Sequence, residues 1–288
     1  MKKITFAALL VALLSTPVQA LQADPTSEAL AKVLAAQSDE HKARHIYRHP
    51  GETLRFFGIR PGMRVAEALP GGGWYSKVLL PYLGSDGALL GVDYNMSMWP
   101  NFSFATDEFT AKRKTWPTTW PEEAQAWRGE AGATVSATTF GNISDDTKGS
   151  YDAFLFIRAL HNLARYEDKG GYLSQALNDA FALLKPGGVV GIVQHEARAD
   201  RPDSWADGSN GYLKKSFVIK AMRKAGFTLV DQLDINENVK DQANEGDIVW
   251  RLPPSLATSR EDPELREKMQ AIGESNRMTL LFEKPIAE

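Results

Sequence analysis

Two hydrophobic rhythms alternate along the chain. Short runs dense in apolar and β-branched residues at 63–68, 88–93, 133–138, 151–157, 189–195, 226–235 and 278–284 predict seven strands. The fourth run, between Tyr151 and Ile157, is almost continuously apolar, as a strand buried on both faces requires. Between the runs, apolar positions at helical spacing predict helices over 74–83, 169–184 and 214–225. Turn chemistry separates the two rhythms. Gly58-Ile59-Arg60-Pro61-Gly62 leads into the first strand, Gly84-Ser85-Asp86-Gly87 into the second, and Lys185-Pro186-Gly187-Gly188 closes a helix before the fifth. Such alternation predicts a three-layer α/β sandwich around a mostly parallel sheet.

Two stretches depart from that alternation. Upstream, 27–37 has helical periodicity on Leu30, Val33 and Leu34; His49-Pro50-Gly51 stops the pattern, and 52–57 resumes it briefly. Residues 21–60 are therefore expected to form an N-terminal helical cap on an α/β domain at 61–288. Within 94–132, Trp99, Trp116, Trp120 and Trp127 stand among prolines and charges, which predicts one or two helices packed on the sheet by their indoles.

The chain opens Met1-Lys2-Lys3, runs apolar from Ile4 to Leu14, and reaches Val18-Gln19-Ala20. That is the form of a secretory signal peptide ending at residue 20, and it predicts export across the inner membrane to the periplasm. The apolar run is shorter than the ~20 residues a spanning helix needs, and no later run approaches that length, so no stable membrane insertion is expected. With 33 basic and 36 acidic side chains the net charge is −3, a poor match for nucleic acid. The absence of cysteine excludes disulfides, thiolate metal sites and a cysteine nucleophile. His41, His45 and His49 have i, i+4 spacing but no evident carboxylate partner, so a solvated helix face is expected there and no metal site.

The stretch with most chemical content is Arg64-Val65-Ala66-Glu67-Ala68-Leu69-Pro70-Gly71-Gly72-Gly73-Trp74-Tyr75. An apolar strand carrying a carboxylate gives way to a glycine triplet, and a helix follows. Glycines let the backbone approach a ligand where a Cβ would collide, and the first N–H groups of the helix point at it. A second strand ends in Val92-Asp93 one βαβ unit later, which is the context of a nucleoside-containing cofactor. A Gly-x-Ser-x-Gly elbow is absent, so an α/β-hydrolase is not supported.

With these elements in place the chain resembles the class I S-adenosylmethionine-dependent methyltransferases over roughly residues 60–285, and within them a group of secreted, predicted methyltransferases. The residues that carry the likeness are Tyr47-Arg48-His49-Pro50, Glu52-Thr53-Leu54, Phe56-Phe57-Gly58, Pro70 to Tyr75, Lys185 to Gly188, and Leu281-Phe282-Glu283-Lys284-Pro285. The resemblance implies a Rossmann-like, mostly parallel seven-stranded sheet with an antiparallel strand near the C terminus, S-adenosylmethionine as cofactor, and methyl transfer to a small molecule. It implies that Glu67, Pro70, Gly71, Gly72 and Gly73 border the cofactor, that Asp93 accepts both ribose hydroxyls, and that Asn142 and Ile143 lie by the adenine. Leu69 departs from the pattern, standing where the superfamily has the first of its spaced glycines.

Ligands of an open parallel sheet sit at the carboxyl ends of its strands, and two histidines fall there. His161 follows the fourth strand and His195 ends the fifth; either suits removal of a proton from the methyl acceptor. Arg158 is placed to hold a carboxylate of the cofactor or substrate, or to pair with Asp152 or Glu196. Arg48, His49, Trp74 and Tyr75 are candidates for a cap and wall on the substrate side, where an aromatic face stabilises a sulfonium. Two other functions fit parts of the sequence: an exported binding protein that retains the fold without turnover, and an NAD(P)-dependent oxidoreductase. The latter expects a spaced Gly-x-Gly-x-x-Gly and a Tyr-x-x-x-Lys pair that are not evident.

Overall fold

The computed structural model describes residues 25–286, so the segment read as an export signal, 1–20, lies outside the described residues. The seven expected strands are present: β1 (Arg64–Ala68), β2 (Ala88–Asp93), β3 (Thr134–Thr139), β4 (Tyr151–Ile157), β5 (Leu184–Ala197), β7 (Thr228–Leu233) and β8 (Arg277–Glu283). A two-residue eighth, β6 (Leu213–Lys214), pairs with the end of β5. The sheet order is β3-β2-β1-β4-β5-β8-β7. Strands β1 to β5 are parallel, and β8 runs antiparallel to both of its neighbours. Strand order reverses between β1 and β4, which opens a crevice at their carboxyl ends.

The helices are α1 (Pro25–Ala35), α2 (Asp39–Lys42), α3 (His45–Arg48), α4 (Pro50–Phe56), α5 (Ser76–Leu83), α6 (Asp107–Arg128), α7 (Leu160–Arg165), α8 (Glu167–Gly170), α9 (Tyr172–Leu183), α10 (Lys215–Lys224) and α11 (Pro263–Ile272). Two boundaries correct the sequence reading and one refines it. His49 does turn the chain, at φ 40°, but Pro50 then opens α4, since its fixed φ and missing N–H suit a first helical position. The segment 94–132 contains one 22-residue helix, α6, which runs through Pro117 and Pro121 and is capped by the Thr106 hydroxyl accepting from the Phe109 N–H. Lys185 to Gly188 does follow the end of α9 but lies within β5, as an irregularity in its pairing with β4.

Strand β4 shows how the layers are assembled. Phe154 and Phe156 face one side with α7, α9 and α10, whereas Ala153 and Leu155 face the other with α1, α4 and α5. Period-two alternation on a wholly apolar strand thus feeds two cores at once. Glycine permits close approach of the helices to the sheet: a Cβ on Gly91 would strike Trp120 of α6, and one on Gly191 would strike Phe57 just after α4. Leu30 of α1 and Leu54 of α4 are fully buried in the core that contains Val65 and Leu155, so the N-terminal helices share the core of the sheet. Each such side chain contributes about 1.5–3 kcal/mol.

Candidate functional site

A cleft of about 1220 Å³ opens over the carboxyl ends of β1, β4 and β5. Its floor is Leu69-Pro70-Gly71-Gly72 after β1, Arg158 and His161 after β4, and His195 of β5. Helices α2 and α3 close one side with His41 and Arg48, and the C-terminal segment closes the other with Trp250, Glu274 and Ser275. Two residues of the floor hold the left-handed backbone conformation without being glycine: Leu69 at φ 52° and Arg158 at φ 59°. Each is pinned by one further rung of the sheet. The Leu69 N–H donates to the Val92 carbonyl at 2.8 Å and the Arg158 N–H donates to the Val193 carbonyl at 2.6 Å. Such strain costs about 1–3 kcal/mol per residue and concentrates where side chains must be aimed at a ligand.

Charge in the cleft is unbalanced. Arg44, Arg48, Arg158 and Arg277 gather around the single carboxylate of Glu274. Glu274 accepts from Arg44 Nε at 2.8 Å and from Arg48 Nε at 3.1 Å, and it pairs with Arg277 Nη1 at 3.3 Å. Arg277 also donates to the Ser275 and Tyr47 carbonyls. Burial and the neighbouring Arg158 push Arg48 down to about 9, and burial pushes Arg277 down to about 10. Below the floor, Glu67 accepts from the Ser76 hydroxyl at 2.6 Å; burial nevertheless raises its carboxyl to about 7.

The two histidines face each other, ring centroids 5.5 Å apart. Both are neutral at pH 7, because burial drives His161 down to about 4 and holds His195 well below its ordinary value. His195 Nδ1 shares a 2.6 Å hydrogen bond with the Ser275 hydroxyl, whereas His161 Nδ1 is buried without a hydrogen-bond partner. Uncharged at neutral pH, the two imidazoles present hydrogen-bonding nitrogens to the cleft, and His161 Nδ1 is the one left without a partner.

Eight of the candidate site residues from the sequence line this cleft or its floor: Arg48, Pro70, Gly71, Gly72, Trp74, Arg158, His161 and His195. Arg158 pairs with neither Asp152 nor Glu196. Asp152 accepts from the Arg64 N–H and Lys185 at the opposite end of the sheet, and Glu196 faces Lys215. Trp74 is both wall and packing residue, stacked on His41 at 5.0 Å and covered by the Arg48 guanidinium at 4.4 Å. Tyr75 is buried, donating to the Arg48 carbonyl, and His49 serves as the turn into α4. Gly73 lies against the indole of Trp127, so at this position glycine admits an aromatic ring from α6.

Asp93, Asn142 and Ile143 stand away from the cleft. Burial raises the Asp93 carboxyl, and Arg113 of α6 binds one of its oxygens. The Arg113 guanidinium is in turn held between Trp99 and Trp116, at 4.9 and 5.2 Å. Asn142 donates to the Thr139 hydroxyl, and Ile143 packs on the core. Sequence reasoning missed Arg44, Arg113, Trp250, Glu274, Ser275 and Arg277. None of these carries a local signal: Arg44, Glu274, Ser275 and Arg277 meet around one carboxylate and Arg113 reaches Asp93 only through tertiary packing.

No protein-family model matches the chain, and no curated protein matches it. Solved structures do. A chain of the Haloferax volcanii complex between the Trm112 methyltransferase activator and a methyltransferase superposes with a TM-score of 0.50 at 15% identity, covering 91% of this chain and 99% of the other. A SAM-dependent methyltransferase from Aquifex aeolicus gives 0.48 at 12% identity, covering 88% and 98%. The 1,6-didemethyltoxoflavin-N1-methyltransferase of Burkholderia thailandensis gives 0.44 at 16%, covering 93% and 94%. The architecture is Rossmann-like, the fold of the Haloferax volcanii structure.

Proposed function

We propose that the protein is an S-adenosylmethionine-dependent methyltransferase acting on a small molecule bound in the cleft over β1, β4 and β5. The observation that carries the reading is the convergence of Gly71 and Gly72, an uncharged His161–His195 pair and Arg158 at the point where strand order reverses. S-adenosylmethionine, when bound, supplies an electrophilic methyl group on a sulfonium. The chain fits this cofactor at the amino-acid end, where Gly71 and Gly72 are exposed on the cleft floor above Glu67. At the nucleoside end Asp93 is held by Arg113, and seating a ribose there requires that contact to open.

The protein's own part is alignment and proton removal. Arg48 and Trp74 wall the acceptor, the left-handed backbone at Leu69 and Arg158 fixes the floor, and His195, oriented by Ser275, takes the proton from the attacking atom. His161 backs it as a second uncharged imidazole. Ultraviolet cross-linking with methyl-tritiated S-adenosylmethionine tests the reading. Labelling that S-adenosylhomocysteine competes away supports it, and labelling insensitive to competitor contradicts it.

A second reading rests on the Arg113–Asp93 contact and on Leu69: a binding protein that keeps the fold but no longer seats the nucleoside. It predicts no competed label, but saturable binding of other small molecules in the same cleft. Export to the periplasm is proposed from residues 1–20 alone, and N-terminal sequencing of the protein from the envelope fraction tests it. A mature chain beginning at residue 21 is the expected result, and retention of Met1 would overturn it.

A further inference from the structure

We infer that the cleft selects substrates bearing a carboxylate, and that the guanidinium of Arg158, with Arg48 across from it, is the group that receives this anion. The inference rests on the methyltransferase reading and supplies its substrate class. Four buried or half-buried arginines face Glu274, with Glu67 beneath Arg158 the other nearby acid, and three of the four are committed: Arg44 to Glu274, Arg48 through its Nε to Glu274, and Arg277 to Glu274 and two carbonyls. Arg158 differs. Its guanidinium makes no hydrogen bond or ion pair with any described residue, although its backbone is held at φ 59° in a position that aims it at the cleft.

A desolvated guanidinium without a partner is costly, and its planar fork is complementary to the two oxygens of a carboxylate. The remaining wall adds no further cation. His161 and His195 are neutral, the Ser275 hydroxyl bonds His195 at 2.6 Å, and the Trp250 indole lines the cleft beside His161, suited to the body of an aromatic or aliphatic acid. The carboxylate has two possible sources, the substrate or the amino-acid end of the cofactor. Arg158 follows β4 beside His161 and His195, on the side where the methyl acceptor must lie, which favours the substrate.

The test is a titration of the full chain with benzoate, benzamide and benzylamine, each with and without saturating S-adenosylhomocysteine, read by calorimetry and thermal shift. Benzoate is expected to bind at least about tenfold more tightly than benzamide, the worth of one charge-assisted contact, and to bind whether or not S-adenosylhomocysteine is present. Arg158→Gln is expected to remove that preference while leaving S-adenosylhomocysteine affinity within about threefold, since a threefold change is a fraction of one hydrogen bond. Equal binding of benzoate and benzamide overturns the inference, and that comparison needs no variant to fold. Mutual exclusion between benzoate and S-adenosylhomocysteine also overturns it, by assigning Arg158 to the cofactor. Failure of S-adenosylhomocysteine to bind at all defeats the methyltransferase reading instead, and the same titration separates the two failures.

Discussion

Leu69 carries the sharpest conflict between residue type and backbone. Its φ of 52° suits glycine, the residue that the methyltransferase pattern has there, yet the chain spends a leucine on it and packs the side chain against the core. At an ordinary position alanine is more stable than glycine by about 0.4–1 kcal/mol, through the entropy of the unfolded chain. Here the order is expected to invert. Leu69→Gly should be more stable than Leu69→Ala by about 1 kcal/mol, because only glycine relieves the left-handed strain while both lose the same packing. Urea denaturation of the two variants measures this, and alanine proving the more stable would show that Leu69 is unstrained. Glu67, two residues earlier, sets a pH dependence. Its folded pKa of about 7 lies above its unfolded value, so the folded state keeps the proton that the unfolded state has released. Its contribution is therefore fully present below about 4.5 and lost as pH rises through about 7, up to about 3 kcal/mol in total. The stability gained by Glu67→Gln over the unaltered chain should grow across that window; a difference independent of pH would contradict the assignment.

Among the elements, α6 governs access to the nucleoside end. The sequence showed its tryptophans and their packing role and left its number of helices at one or two; the structure makes it one helix running through Pro117 and Pro121. Nothing local announces that Arg113 reaches Asp93, since they stand twenty residues apart and meet only when α6 folds back over β2. Arg113→Ala removes the cation from a buried carboxylate and should cost about 1–3 kcal/mol of stability. It should also tighten S-adenosylhomocysteine binding by freeing the carboxylate for ribose hydroxyls. Paired denaturation and binding measurements check both signs, and weaker binding in the variant would make Arg113 part of the ligand site and not its competitor. The helices α3 and α4 teach a related lesson. Pro50 reads locally as a stop, but the preceding left-handed His49 converts it into a start.

At the scale of the molecule, the strands, their order of appearance and the two-faced burial of β4 were legible because apolar runs bounded by glycine and proline turns need no tertiary information. Half of the site was legible for the same reason: Gly71, Gly72, Arg158, His161 and His195 lie at strand ends that the pattern locates. The other half, Arg44, Glu274, Ser275 and Arg277, comes from segments far apart in sequence, and their convergence is a property of the fold. Fold and function meet at the cofactor: the cleft covers the β1–β4 crevice while Asp93 is bound by Arg113. Calorimetric titration of the full chain with S-adenosylhomocysteine tests that link directly. The account predicts saturable binding at one site per chain with a dissociation constant below about 1 mM, the upper end of ordinary KM values. No heat and no thermal shift at millimolar ligand, in the unaltered chain and in Arg113→Ala alike, would contradict it.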